Sequence, residues 1–389
     1  MTSGYDQLDI SKKMWRKVKL EEIVNIFASN VDKVIDPTET SVRLCNYLDV
    51  YNNFYITNNL KFMIGSANER EIKKFSLYKD DVIITKDSET PDDIANAAVV
   101  SEDLENIVCG YHLALLRPHK KKVNGTFLMH YLHHPAVNNQ FARLANGVTR
   151  FGLTINSIKH AKILLPPLNE QRRIAEILGE WDNAITLTGR LIAARQRRKK
   201  ALMQQLLTGK VRFGGFVGSV WETVRLKEVS EIQYGKSPRD IRNDEGQFLI
   251  YGTGGIVGRT DETICNHPAV IIGRKGTIDQ PQLVKEPFWA IDTTFYCTPN
   301  DRVSVEWIYY ALSLIDLAYY NEASGVPSLS RNTLYSIKIP LPPFSEQRRI
   351  AAVLQTCDGE IALLEQKLSA LKRQKQGLMQ QLLSGKVRV

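Results

Sequence analysis

What the chain lacks narrows its class first. No run of 18 uncharged apolar residues occurs among its 389 residues, which excludes a membrane-spanning helix of ordinary length. Residues 1–16 carry no apolar core of the secretory kind. Five cysteines (Cys45, Cys109, Cys265, Cys297 and Cys357) stand singly, odd in number and without a Cys-x-x-Cys. They read as buried thiols of a reducing cytoplasm rather than a disulfide frame. His130, His133 and His134 are spaced loosely like metal ligands but have no Cys or Asp partner set, so no metal is expected.

Signatures of chemistry are missing as well. No glycine-rich fingerprint for S-adenosylmethionine comes after a strand, and Gly235-Lys236-Ser237 has Ser230 where a P-loop needs glycine. Glu71-Ile-Lys73 and Glu365-Gln-Lys367 match the tail of a nuclease motif without an Asp-bearing strand before them. Pro342-Pro343-Phe344 imitates an amino-methyltransferase core, but Leu341 stands where Asn or Asp should bind the target amino group. No catalytic residue is expected in this chain.

What is present is a repeat. Leu165-Pro-Pro, Glu170 to Ala175, Leu202 to Leu207 and Gly209 to Arg212 return, shifted by 176, as Leu341-Pro-Pro, Glu346 to Ala351, Leu378 to Leu383 and Gly385 to Arg388. Identity is 10 of 14 across the opening and 10 of 12 across the close, but 6 of 23 between them. Matching ends at a constant separation around a drifting middle describe a part kept for its length.

Periodicity identifies the part as a helix. Leu178, Trp181, Ile185, Thr188, Ile192, Arg195, Lys199, Leu202 and Leu206 alternate at steps of three and four. Leu354, Cys357, Ile361, Leu364, Leu368, Leu371, Lys375, Leu378 and Leu382 do the same, a heptad seam in each copy. Asn169 and Ser345 suit N-caps, and Gly209 and Gly385 suit C-terminal caps. A helix over 170–207 would run about 57 Å. Two copies of one seam predict a mutual pair.

The net charge of +9 is uneven. Residues 165–213 hold ten basic and four acidic residues, and 341–389 hold eight and four, while 214–340 hold twelve and fifteen. The basic surplus sits in the helical repeats, on a solvated face or one offered to a polyanion or acidic partner.

The intervening regions are mixed α and β. Trp15-Arg-Lys-Val-Lys-Leu20 begins one, and Trp221-Glu-Thr-Val-Arg-Leu226 begins the other. Val82 to Lys86 and Val270 to Lys275 read as strands breaking into basic loops. Short helices are expected over 126–132 and 305–317, with closing strands over 158–164 and 334–339. The division is a leader over 1–14, a region over 15–164, a helical spacer over 165–213, a second region over 214–340 and a second spacer over 341–389.

Leu-Pro-Pro-x-x-Glu-Gln-Arg-Arg-Ile-Ala, the helix, and Leu-Met-Gln-Gln-Leu-Leu-x-Gly-Lys-Val-Arg, each present twice, resemble the DNA specificity (S) subunit of type I restriction-modification systems. Leu44 to Val50 and Asp80 to Lys86 also look like that family, and the resemblance covers nearly all of 15–389. It implies an α+β fold: two mixed α/β target recognition domains separated by two long helices. Each domain would read one half of a bipartite, asymmetric double-stranded DNA site. The helices would set the spacing and dock two methylation (M) subunits, with two restriction/translocase (R) subunits joining for cleavage. S-adenosylmethionine, ATP and magnesium are expected on those partners, with none bound by this chain.

Base readout would then come from polar clusters in the two regions. Candidates are Lys61, Ser66, Asn68, Arg70, Lys86, Asp87, Thr149 and Arg150 in the first. In the second they are Lys236, Ser237, Arg239, Thr253, Arg274, Lys275, Thr277, Ser328 and Arg331. The seam carries Leu178, Trp181, Ile185, Ile192, Lys199, Leu202 and Leu206 against Leu354, Cys357, Ile361, Leu364, Leu368, Leu371, Lys375, Leu378 and Leu382. A two-fold relation between the units would make the helices an antiparallel coiled coil with the domains at opposite ends. A stand-alone methyltransferase or nuclease, and a coiled-coil scaffold without sequence preference, are the rival readings.

Overall fold

The computed structural model describes residues 15–389, so the expected leader over 1–14 lies outside the described residues. The chain divides into two compact units, one running to Thr188 and including Lys367–Val389, the other Gly189–Gln366. Each unit takes part of both long helices, Leu168–Leu206 and Phe344–Leu382. Each helix has 39 residues, about 58 Å at 1.5 Å per residue. Among the described residues no helix is long and apolar enough to cross a membrane.

In the first unit a five-stranded sheet runs in the order Val24–Ala28, Leu113–Pro118, Val82–Thr85, Ala97–Val100, Tyr55–Ile56. Val82–Thr85 is buried at every position because both of its faces are covered. Val82 and Ile84 enter the core beneath Gly125–Leu132, and Ile83 enters a second core shared with a three-stranded sheet of Met63–Ala67, Thr40–Cys45 and Ile107–Cys109. Burial on two faces explains an uninterrupted apolar run where a half-exposed strand would alternate.

The second unit repeats the plan in smaller form. Its four-stranded sheet runs Ser230–Tyr234, Thr294–Pro299, Ala269–Gly273, Gln282–Val284, all antiparallel. Val270 and Ile272 face the core under Val305–Leu314, and Ile271 faces a smaller core with Phe288 and Ala290.

A short antiparallel ladder frames each region. Arg16–Lys19 pairs with Lys162–Leu165, and Glu222–Arg225 pairs with Lys338–Leu341. The closing strands are shorter than the sequence suggested. Residues 158–160 and 334–336 belong instead to the helices Ile155–His160 and Arg331–Ser336. Thr154 and Ser330 cap those helices by accepting the amides of Ser157 and Thr333, so local capping overrides the apolar pattern.

The long helices each start one residue before the expected cap. Asn169 and Ser345 lie inside the first turn, where the Gln171 and Gln347 amides donate to the carbonyls of Pro167 and Pro343. Their ends match expectation: Gly209 at φ +71° and Gly385 at φ +72° take the left-handed turn, with Trp221 and Trp15 ring carbons about 3.5 Å from where a Cβ would stand. All the seam positions named from sequence are buried or half-buried.

Within each unit the two long helices are tied by paired polar groups. In the first unit Glu170 pairs with Arg388, and Asp182 pairs with Lys375 and accepts the Tyr55 hydroxyl at 3.0 Å. In the second, Glu346 accepts Arg212 Nε at 2.6 Å and Nη2 at 2.7 Å, while Asp358 pairs with Lys199 and accepts the Tyr310 hydroxyl at 2.7 Å. Partner numbers therefore fall along one helix as they rise along the other. The same residue pairs recur with the helix of origin exchanged.

Gln171 and Gln347 do a second job. Each donates from Nε2 to a proline carbonyl (Pro166 at 2.8 Å, Pro342 at 2.9 Å) and to a loop carbonyl (Lys122 at 3.1 Å, Arg302 at 3.0 Å). Their Oε1 atoms accept the Asn124 and Ser304 amides at 2.9 Å, fixing each domain helix to its long helix.

Glu346 is fully buried and also accepts Trp221 Nε1 at 2.9 Å. Replacing it with alanine leaves Arg212, whose side chain is 17% exposed, without a counter-ion. Glu346→Ala is expected to cost about 3–5 kcal/mol. Hydrogen exchange should show faster opening of residues 189–366, and unchanged protection there would refute this account of the helix junction.

Candidate nucleic-acid interface

The second unit assembles most of its candidates at one strand end. Ala269–Gly273 emerges from the core, and the chain turns tightly at Gly276, φ +92°. The Arg274 amide donates to the Thr293 carbonyl at 2.8 Å, and the Arg274 carbonyl accepts the Leu329 amide at 2.9 Å. Lys275 bridges to Ser328, and the Gly276 amide donates to Pro327 at 2.8 Å. This pins the returning loop beside the turn.

An exposed aromatic ring completes the cluster. The guanidinium groups of Arg274 and Arg331 lie 5.6 and 5.0 Å from the centre of the Tyr234 ring, which is 44% exposed. Two cations on one ring hold its face and raise the local positive potential. Lys236 comes next on the same chain turn, its backbone held by Ala290 and by Trp289 Nε1, and its side chain is exposed. Thr253 stands near Gly276, in the Gly252–Gly255 hairpin turn, and Thr277 is half-buried at the turn's exit. Ser237 and Arg239 are exposed in the adjoining segment.

The first unit builds the same frame with different side chains. The Lys86 amide donates to the His112 carbonyl, and its carbonyl accepts the Leu153 amide, both at 2.9 Å. Leu153 and Leu329 differ by the repeat offset, so Lys86 and Arg274 occupy matching places. Lys86 Nζ lies 5.3 Å from the centre of the Tyr111 ring, which is 48% exposed. Asp87 pairs with His112 Nδ1 at 2.6 Å, and Asp87–Ser88 pairs with Phe151–Gly152. Thr149 and Arg150 are exposed at the tip of the loop closed by Asn146 and Gly152.

Four candidates fall on or beside the other sheet of that unit. Ser66 is buried, with its hydroxyl donating to Glu39 Oε2 at 2.8 Å and accepting the Asp36 amide at 2.9 Å. Asn68 caps Glu69–Phe75 by accepting the Glu71 amide. Both serve the fold. Lys61 and Arg70 are exposed nearby and do not join the Lys86 cluster. Sequence reasoning missed Tyr111, His112 and Tyr234; the available signal was an aromatic residue next to a glycine or a basic turn at a strand end.

The sequence profile of the family described as "Type I restriction modification DNA specificity domain" matches residues 12–194 and 218–373. A Methanocaldococcus jannaschii chain named for the MjaX type I restriction enzyme specificity subunit is 27% identical over 355 residues, covering 84% of this chain and 83% of its own. A Haemophilus influenzae specificity subunit, S.HindORF215P, is 24% identical over 385 residues, with 89% and 88% covered. Among solved structures, the S subunit of a type I restriction-modification system from M. genitalium superposes with a TM-score of 0.65 at 18% identity, covering 95% of this chain and 96% of that one. Two matched domains across most of the length, on this fold, place the chain in the type I restriction-modification DNA specificity family, as an S subunit.

Proposed function

We propose that each unit reads one half of a bipartite, asymmetric DNA site and that the long helices set the distance between the halves. The observation that carries this is the matched strand end: Lys86 with Tyr111 in one unit, Arg274 with Tyr234 in the other, on the same backbone frame. A basic group beside an exposed ring suits a phosphate or base edge, and different side chains on one frame suit two different half-sites.

The helices act as an antiparallel coiled coil. The exchanged pairs Glu170–Arg388 and Arg212–Glu346, and Asp182–Lys375 and Lys199–Asp358, have the form of an isologous contact, in which i meets j and j meets i. The same pairing made once in each unit supports docking of two equivalent M subunits, with two R subunits joining for cleavage. In this reading the chain performs no chemistry. S-adenosylmethionine belongs to the M subunits, ATP and magnesium to the R subunits, and the complex works in the cytoplasm. Residues 15–164 and 214–340 are the recognition domains, and 165–213 and 341–389 the spacers.

Arg274→Ala combined with Lys275→Ala is the direct test. Adenine methylation by the assembled M–S complex on a randomised duplex pool should lose sequence preference in the second half-site by about tenfold or more per base contact, with the first half-site intact. Equal loss in both halves would count against independent readers.

The spacer is tested by length. Four residues inserted after Arg197 add about 6 Å of helix and rotate the downstream turns by about 40°. A coiled coil can absorb four residues as a stutter without losing its seam. The gap should lengthen by one or two base pairs at about 3.4 Å each, with both half-sites unchanged. An unchanged gap at full activity would mean the helices are a dock and not a ruler.

A further inference from the structure

The two matching strand ends carry opposite chemistry. In the second unit the residue after Arg274 is Lys275, and the carbonyl that accepts the Arg274 amide belongs to Thr293. In the first unit those two places are held by Asp87 and His112. A flexible donor in one unit is matched by a paired carboxylate and imidazole in the other.

The His112 ring is held in place by its surroundings. Its backbone sits at φ +69°, a left-handed conformation uncommon for a side chain of this size. Its carbonyl is held by the Lys86 amide, and Nδ1 lies 2.6 Å from Asp87 Oδ2. The Tyr111 ring packs edgewise, its centre 4.1 Å away. A neutral imidazole that donates from Nδ1 to a carboxylate presents Nε2 as an acceptor.

Among the described residues neither His112 Nε2 nor Asp87 Oδ1 has a hydrogen-bond partner. Both residues line an open cleft of about 590 Å³, together with Tyr47, Tyr51, Arg150 and Gly152. A Cβ at Gly152 would stand 3.1 Å from Asp87 Oδ1, so the glycine keeps that oxygen accessible.

We propose that the Asp87–His112 pair is a specificity determinant of the first half-site, accepting from the exocyclic amino group of one base, cytosine N4 or adenine N6, at the major-groove edge. The inference rests on the reading of this region as a DNA reader. With the imidazole neutral, two adjacent acceptors favour a base that presents an amino group at that place and disfavour one that presents guanine O6 or thymine O4 there instead. Because the carboxylate already fixes the ring, little side-chain freedom is lost on binding.

The test uses the assembled M–S complex and a duplex library randomised at each position of the wild-type site, with adenine methylation read by sequencing. Asp87→Asn and His112→Asn each exchange an acceptor for an amide, and asparagine tolerates the left-handed backbone at 112. The expected result is loss of preference at one position of the first half-site, by about tenfold or more, with the second half-site and the gap unchanged. Lys86→Ala with Arg150→Ala is the control. If the control weakens the first half-site while both asparagine variants keep every preference, the pair is not a reader and this proposal falls alone. If neither the control nor the variants alter the first half-site, the assignment of this region to DNA reading falls as well. Should Asp87→Asn abolish methylation everywhere through misfolding, His112→Asn decides.

Discussion

A carboxylate in an apolar core costs several kcal/mol unless a cation meets it there, and this chain places one at the start of each long helix. Glu346 is fully buried and is met by Arg212; Glu170 is 6% exposed and is met by Arg388. Each arginine lies just past the glycine that ends the other helix. The Glu-Gln text and the Gly-Lys-Val-Arg text are therefore two halves of one lock, which neither helix can close alone. This explains why the two ends repeat almost letter for letter while 23 residues between them drift. The middle needs only a seam, and a seam tolerates any residue of suitable size and polarity.

The neighbouring glutamine extends the lock into the recognition domains. Gln171 and Gln347 each satisfy two carbonyls and one amide around the Pro-Pro turn and the domain helix. With the framing ladders Arg16–Lys19 and Glu222–Arg225, these bonds hold the domain base at constant geometry. The strand ends that carry Lys86 and Arg274 can then vary in side chain without disturbing the frame. A fixed base and a variable rim suit a proposed reader whose target can differ between the two domains.

Much of this was legible in the sequence because it depends on periodicity and on a few residue types with strict backbone roles. The 39-residue helices, their glycine ends and the doubly buried strands Val82–Thr85 and Ala269–Gly273 arise from such signals. The helix starts and the short helices Ile155–His160 and Arg331–Ser336 did not, since one capping hydroxyl outweighs a brief apolar run. For the site, composition found Arg274, Lys275, Ser328 and Arg331, which the fold brings to one strand end. It also proposed Ser66 and Asn68, which a buried hydrogen bond and a helix cap absorb. Composition alone does not distinguish a polar residue used by the fold from one left open. Tyr111, His112 and Tyr234 were missed because their role depends on contacts with chain segments distant in sequence.

The most direct test of the central claim is the pattern of adenine methylation made by the wild-type M–S complex on a random duplex pool. Two unlike readers on a ruler should give one asymmetric motif, with two short specified blocks separated by a gap of constant length and unspecified sequence. A single contiguous block, a palindrome, or a gap that varies from site to site would contradict it.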